Sequence, residues 1–429
     1  MRLTDTDRAM LDGAHGPAVG RAMDLLVRYG QALGAEQLVD TNNVCGANIF
    51  GARHLNYPAR TITSHDEAFS ELSLDSDEVV EVPQVRAYSC QLIGPMDSRH
   101  WELQGLSRQA RDAIADSESY SGRHGIHLLS TCTPYQVGNV PVRGEHCAWM
   151  ESSAVVYINS VLGARSNVEG RESTGAAMLT RRIPYWGLHD PGNRFATDLV
   201  DVRVEAESVL DWGLLGYFVG SVVQDRIPAL RGITTTPDLV RLKHFGAAAS
   251  SSGGVELYHI PGVTAEARTE EEAFGGAEPR RVFGYGPRER RETYEALNST
   301  AAGAGDDIDL VMIGCPHATM EQVRQVCTLL EGRRVADGTH LWVFTPSQIR
   351  ALADRNGFTE RLAAAGAALM SDTCPAIGQF LPDGTRVIAT DSAKQVHYLP
   401  AIMGVQGRFG SVETCVEAAV TGRWPGEAL

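Results

Sequence analysis

The sequence predicts an α/β protein with mostly parallel sheets, divided into several subdomains. Three observations predict it. The chain has 429 residues, more than one ordinary core accommodates. Its last third alternates strand-like and helix-like segments, the order that builds a parallel sheet. The strand-like segment "DIDLVMIG" (307–314) has a continuous apolar run, as in a sheet covered on both faces.

Near the N-terminus, Val19, Ala22, Met23, Leu26, Tyr29 and Leu33 recur at helical spacing. Pro17 suits the first turn of that helix and Gly34 its end. Residues 41–95 carry short β-prone pieces, Thr61–Thr63, Val79–Val82 and Val85–Tyr88, between polar stretches. "IHLLST" (126–131) reads as a strand. "EHCAWMESSAVVYINSVL" (145–162) reads as one long buried helix, followed by the polar, glycine-punctuated loop "GARSNVEGREST" (163–174). "VELYHI" (255–260) reads as a strand. Residues 268–307 are rich in Glu, Arg and Gly, and read as an exposed connection with a helical piece at Glu289–Leu297.

From there the pattern is regular. Thr319 with Gln322 is a capping-box signature for a helix through Leu330. "THLWVFT" (339–345) is a strand, and Thr345, Pro346 and Gln348 start a helix that stops at Asn356-Gly357. Thr359–Ala365 is a helix ended by Gly366. "AALMSD" (367–372) and "RVIAT" (386–390) are strands. The organisation expected is an N-terminal segment over 1–110 and α/β domains over 111–285 and 286–429.

Net charge is −15, which argues against non-specific nucleic-acid binding. No window approaches eighteen consecutive apolar residues, so no membrane span is expected. The N-terminus carries Asp5, Asp7 and Asp12 and no apolar core, unlike a secretory signal, and a cytoplasmic location is expected. The eight cysteines are then expected as reduced thiols.

Three of those cysteines share one local grammar. Cys132 follows "IHLLST" and precedes Thr-Pro; Cys315 follows "LVMIG" and precedes Pro316; Cys374 follows "LMSDT" and precedes Pro375. Each lies just past a strand, on a turn that proline stiffens. Any one alone reads as a buried inert thiol, a disulfide half, a nucleophile or a ligand. Three at neighbouring strand ends favour metal ligation. No C-x-x-C pair exists, so this is not a zinc ribbon or finger. Cys-Pro does recur in iron–sulfur ligation. Cys327 and Cys415 sit inside helical patterns and read as small buried hydrophobes, as does Cys147. Cys45 and Cys90 are ambiguous.

Other candidates surround these. His317 lies two residues after Cys315 at a strand-to-helix turn. Arg165 and Asn167 sit on the loop after residue 162 and could hold a carboxylate, Arg165 by its bidentate fork; a solvated surface arginine is the alternative. Glu151 lies in an apolar stretch, where burial would raise its pKa. Ser392 and Lys394 follow "RVIAT". Ser251, Ser252, Gly253 and Gly254 could offer backbone N–H groups to an anion, or form only a turn.

The stretches "TCTPYQVGNVPVRGEHCAWMESSAVVYINSVLGARSNVEG", "IGCPHATMEQV", "SDTCP", "DSAKQVHYLP" and "FGAAASSSGGVELYHIPGVTAEA" resemble the aconitase X family, in order, over most of residues 98–420. The resemblance implies an aconitase-like arrangement of α/β/α layers around an iron–sulfur cluster, of two or four irons. It implies hydro-lyase activity toward substrates such as cis-3-hydroxy-L-proline or mevalonate 5-phosphate. The family's three cysteine ligands map onto Cys132, Cys315 and Cys374. Some members are split, and the chain then resembles a large subunit needing a small swivelling-domain partner that carries a catalytic serine. Residues 41–95 depart from the family pattern.

The expected mechanism is dehydration of a small hydroxylated carboxylate. An open iron would take the departing hydroxyl, and the partner's serine would take the proton beside the carboxylate. Glu151, His317 and Lys394 are the expected catalytic residues, and Arg165, Asn167, Ser252 and Ser392 the expected substrate-binding ones. The alternatives are an isomerase or specialised family member, motivated by residues 41–95, and a non-catalytic metal-binding paralogue.

Overall fold

The computed structural model of the chain describes residues 1–46, 64–303, 305–427 and 429. The strand expected at Thr61–Thr63 lies outside the described residues. Among those described, three parallel sheets dominate.

The first sheet orders its strands Ile126–His127, Tyr88–Gln91, Asn43–Gly46 and Ala148–Trp149, all parallel. The boundary expected at 110 falls inside this sheet, whose strands pair across it. Helix Arg171–Thr180 lies on it, and helix Pro17–Ala32 packs against that helix and shares a core through Val19, Met23 and Leu26, with Gly34 at φ 75° past its end, as the spacing predicts. Residues 145–162 correct the expectation of one helix. Trp149 pairs with Cys45 at the sheet edge, a short helix runs Ser152–Tyr157, and a π-helical turn follows at Ile158–Leu162. Apolar content alone could not distinguish a buried strand end from a buried helix. Val79–Val82 is likewise no strand; Ser70 Oγ bonds the backbone of Val80 instead.

The second sheet has three parallel strands, Pro228–Arg231, Asp198–Val202 and Arg281–Tyr285. The last of these corrects the reading of 268–307 as a mere connection. "VELYHI" is not a strand: only His259 bridges the sheet, at Ala229, and Ser160 Oγ takes the Tyr258 N–H. Two helices cover this sheet, Val209–Val223 and Leu239–Gly253. Glycine lets them touch. A Cβ on Gly216 would lie 2.3 Å from the Phe245 carbonyl oxygen.

The third sheet orders Ala367–Ser371, His340–Thr345, Leu310–Ile313, Val387–Thr390 and Gln406–Phe409, all parallel. Its elements follow the sequence reading closely, including the Thr319–Gln322 capping box. One detail differs: Thr345 ends the strand, and Pro346 caps the helix Ser347–Arg355. No helix among the described residues is long and apolar enough to cross a membrane.

Candidate active site at the cysteine turns

All eight cysteines are free thiols. Cys327 and Cys415 are buried in helices as expected. Cys45 and Cys90 face each other in register on adjacent strands of the first sheet. Cys147 is buried with them, though just before a strand rather than in a helix.

The other three leave the carboxyl ends of strands, where ligands collect in parallel sheets. The first and third sheets meet at those ends. Gly94 N–H donates to the Asp372 carbonyl at 2.7 Å, and Gly94 bridges Thr373 in parallel. The buried Asp97 carboxylate accepts the Ser371 N–H at 2.7 Å. The loop after Tyr88–Gln91 is thereby laced to the Cys374 turn.

His317 ties the turns together. Its N–H donates to Cys132 Sγ at 3.3 Å. Its ring spans Thr131 Oγ1, 2.9 Å from Nδ1, and the Thr373 carbonyl, 3.0 Å from Nε2. A carbonyl only accepts, so Nε2 carries the proton and Nδ1 accepts from the Thr131 hydroxyl. Thr131 and Thr373 adjoin Cys132 and Cys374, and Cys315 lies two residues before the histidine. Burial pushes the ring's pKa down to about 4, so it is neutral at pH 7. Both ring nitrogens are engaged with protein, an arrangement that suits a strut orienting its neighbours rather than a proton donor.

Cys132 is buried, while Cys315 and Cys374 are partly exposed. Burial pushes the Cys374 thiol up to about 12, with the Cys315 charge next. Burial also raises Cys132, with Glu151 and Cys315 adding to it. It raises Cys315 as well, against the opposing charge of Lys394 and a hydrogen bond from Ser392. Cys315 thus stands within electrostatic reach of the other two. No three His, Cys, Asp or Glu side chains close around a single ion among the described residues.

Beside the thiols lies an ion pair. Lys394 Nζ donates to Glu151 Oε1 and, at 3.3 Å, to Ser153 Oγ; Ser153 Oγ donates to Glu151 Oε1 at 2.9 Å. The two side chains are 16% and 17% exposed. Burial raises the Glu151 pKa, but the Lys394 charge and hydrogen bonds outweigh it, and the net direction is down. That corrects the expectation of a raised value. Burial lowers the Lys394 pKa, but the Glu151 charge, the Cys315 charge and the hydrogen bond to Glu151 together outweigh it, and the net direction is up.

The expected substrate-binding residues fare differently. Ser392 is buried, donates to Cys315 and caps the helix Ala393–Met403. Asn167 is spent inside the protein: Oδ1 accepts from Leu188 N–H at 2.9 Å, and Nδ2 donates to the Trp186 carbonyl. Arg165 bridges His146, which precedes the strand Ala148–Trp149, whereas Glu151 follows that strand; the two stand at opposite ends of it. Ser252 lies in the last turn of helix Leu239–Gly253 and donates to the Tyr217 and Ala248 carbonyls. A helix C-terminus presents carbonyls, so the expected anion site of N–H groups is not formed there.

Lys243 escaped the sequence reading. It is 2% exposed and donates to the His317 carbonyl and to Gln322 Oε1, each at 2.8 Å. The available signal was a lysine between Leu242 and Phe245 in an otherwise apolar helix.

This arrangement meets the comparisons with known proteins. Proteins named as dehydratases match nearly the whole chain. It is 33% identical to the phosphomevalonate dehydratase large subunit of Methanocaldococcus jannaschii, over 96% of this chain and 98% of that one. It is 36% identical to the cis-3-hydroxy-L-proline dehydratase of Pseudomonas aeruginosa, over 99% of this chain and 71% of that one. Models of the aconitase X first, second and third domains match residues 1–191, 196–295 and 308–421. The chain belongs to the aconitase X family. Its fold matches the crystal structure of Thermococcus kodakaraensis aconitase X in the holo form, with TM-score 0.82 and 28% identity, covering 98% of this chain and 100% of that one.

Proposed function

We propose that this chain is the large subunit of an iron–sulfur hydro-lyase that removes water from a small hydroxylated carboxylate. Cys132, Cys315 and Cys374 would hold the cluster. The observation that carries the reading is the three cysteine turns tied by one buried neutral histidine, with the Glu151–Lys394 pair alongside.

The donor set fits such a group. Three soft thiols suit iron and sulfide, and Cys132, Cys315 and Cys374 would be the residues that hold them. When bound, the cluster supplies a Lewis acid for the departing hydroxyl.

The chain's own residues do the rest. Lys394 has three N–H groups and uses two on Glu151 and Ser153; the third is free for a carboxylate or phosphate oxygen of the substrate. Glu151, held ionised, is suited to accept a proton rather than to give one. Ser392 orients Cys315. The match over 98% of a protein named as a large subunit supports a small partner that completes the site and brings the base. Relatives with both substrate names align at similar identity, so both substrates are used in the test.

The test is anaerobic reconstitution of the purified chain with iron and sulfide. The wild-type chain should take up iron and gain cluster absorbance, and C315A should do neither. With the small subunit added, cis-3-hydroxy-L-proline or mevalonate 5-phosphate should yield a product lighter by water. Wild-type iron content and turnover in C315A would overturn the reading.

A further inference from the structure

We propose that Lys243 is the positioning cation of the cysteine site. Carried on a second-domain helix, it holds the Cys315–His317 turn and sets a fixed positive charge against the negative charge of a thiolate-bound cluster. The inference rests on the cluster reading above.

Lys243 is among the largest fully buried side chains of the protein. Such a residue is costly unless something compensates the charge. Among the described residues no carboxylate does so directly: Nζ bonds the His317 carbonyl and Gln322 Oε1 and forms no ion pair within 4.0 Å. Gln322 is itself fixed, since Oε1 also accepts the Thr319 N–H at 3.1 Å and Nε2 contacts His244 at 3.2 Å. Both partners of the ammonium are thus neutral.

The compensating charge has to come from further off, and two of the groups available, Cys132 and Cys315, belong to the site. Burial lowers the lysine pKa to about 8, and Cys132, Asp391, Cys315 and Asp238, in that order, act against it. Asp391 is 5% exposed, and its Oδ1 has no hydrogen-bond partner. It too is short of a close cation. His244, next in sequence, cannot share the load, because burial and Lys243 push it down to about 3 and leave it neutral.

The ammonium cannot retreat either. Its helix is locked against Val209–Val223 by glycine contacts: a Cβ on Gly220 would lie 2.4 Å from the Ala249 carbonyl oxygen, and one on Gly253 1.9 Å from that of Gly220. A Met or Leu would suit a purely structural position here, at lower desolvation cost. A lysine without a close carboxylate is explained when the turn it holds, whose His317 N–H donates to Cys132 Sγ, carries anionic sulfur. Three cysteines that bind iron as thiolates supply it.

The experiment compares reconstituted wild-type chain with K243M, K243Q and K243R. The readouts are the cluster's midpoint potential and the rate of iron loss to a chelator, with folding followed by circular dichroism. Removing a nearby cation disfavours adding an electron, so K243M should shift the potential to more negative values and lose iron several-fold faster. K243R, which keeps the charge, should lie nearer wild type. If K243M does not fold, K243Q decides: it can still donate to the His317 carbonyl but lacks the charge, and its potential should still shift. Unchanged potential and chelation rate in a folded K243M or K243Q would overturn the inference while leaving the cluster in place. A wild-type chain that takes up no iron would overturn the cluster reading, and this inference with it.

Discussion

Replacing His317 by alanine separates a strut from an acid–base group. The ring bonds two fully buried partners, the Thr131 hydroxyl and the Thr373 carbonyl. Leaving a buried polar group unpaired costs about 1–3 kcal/mol. Thr131 can turn its hydroxyl toward Thr133, 3.0 Å away, but the carbonyl has no such recourse. The loss should be about 1–3 kcal/mol, read as a lower urea midpoint of the unloaded chain, and iron uptake should fall with it. The pH dependence adds an independent check. The folded ring has its pKa lowered from 6.5 to about 4, so the unfolded chain binds more protons across that window. His317 therefore costs wild-type stability as pH falls from 6.5 to 4, by about 3 kcal/mol in full. H317A lacks that liability, so its deficit should shrink as pH is lowered. A variant with wild-type stability and iron content that lost only turnover would refute the strut and restore a proton-transfer role.

Two further perturbations follow from buried charge. E151Q removes the carboxylate charge opposite Lys394 and leaves it an amide oxygen and Ser153; breaking a buried pair costs about 3–5 kcal/mol, and the retained acceptor and slight exposure favour the lower end. Urea midpoints and turnover should both drop, and an unchanged midpoint would show that the two side chains are not coupled. Glu169 has its pKa raised to about 7, by burial first and against a hydrogen bond from Ser173, so folding favours its protonated form. That contribution is complete below about 4.5 and is lost as pH rises through 7, a change of about 3 kcal/mol. E169Q should overtake wild type in stability between pH 5 and pH 8, and parallel stability curves would contradict the assignment.

The cysteine turns were legible because proline makes them so. Proline stiffens each turn just past a strand, close behind Ile313 and Ser371 for Cys315 and Cys374, whereas the strand expected to run to Thr131 already ends at His127 before Cys132. The third sheet was legible for a similar reason, since capping residues and continuous apolar runs are local signals. What was not legible depends on partners distant in sequence. Trp149 became a strand residue because Cys45, far upstream, was there to pair with. Arg165 and Asn167 looked free on a polar loop, yet Asn167 is consumed by the turn at 186–188 and Arg165 stands at the far end of a strand from Glu151. The net pKa of Glu151 turned on Lys394, placed beside it only by the meeting of two sheets.

The choice of residue at 317 then has a physical reason. Three turns from two sheets need one side chain that donates to a carbonyl and accepts from a hydroxyl, on opposite sides, without flexing. A neutral imidazole does this with two atoms of one rigid ring. Phenylalanine would fill the space but leave the Thr373 carbonyl unpaired, and glutamine would bring the same chemistry on a longer, freer chain. Neutrality is part of the function: a protonated ring would lose its acceptor toward Thr131 and add a buried cation where Lys243 and Lys394 already supply two. Burial keeps the histidine uncharged to about pH 4, so the geometry of the cysteine turns is held by a group that does not titrate above that pH.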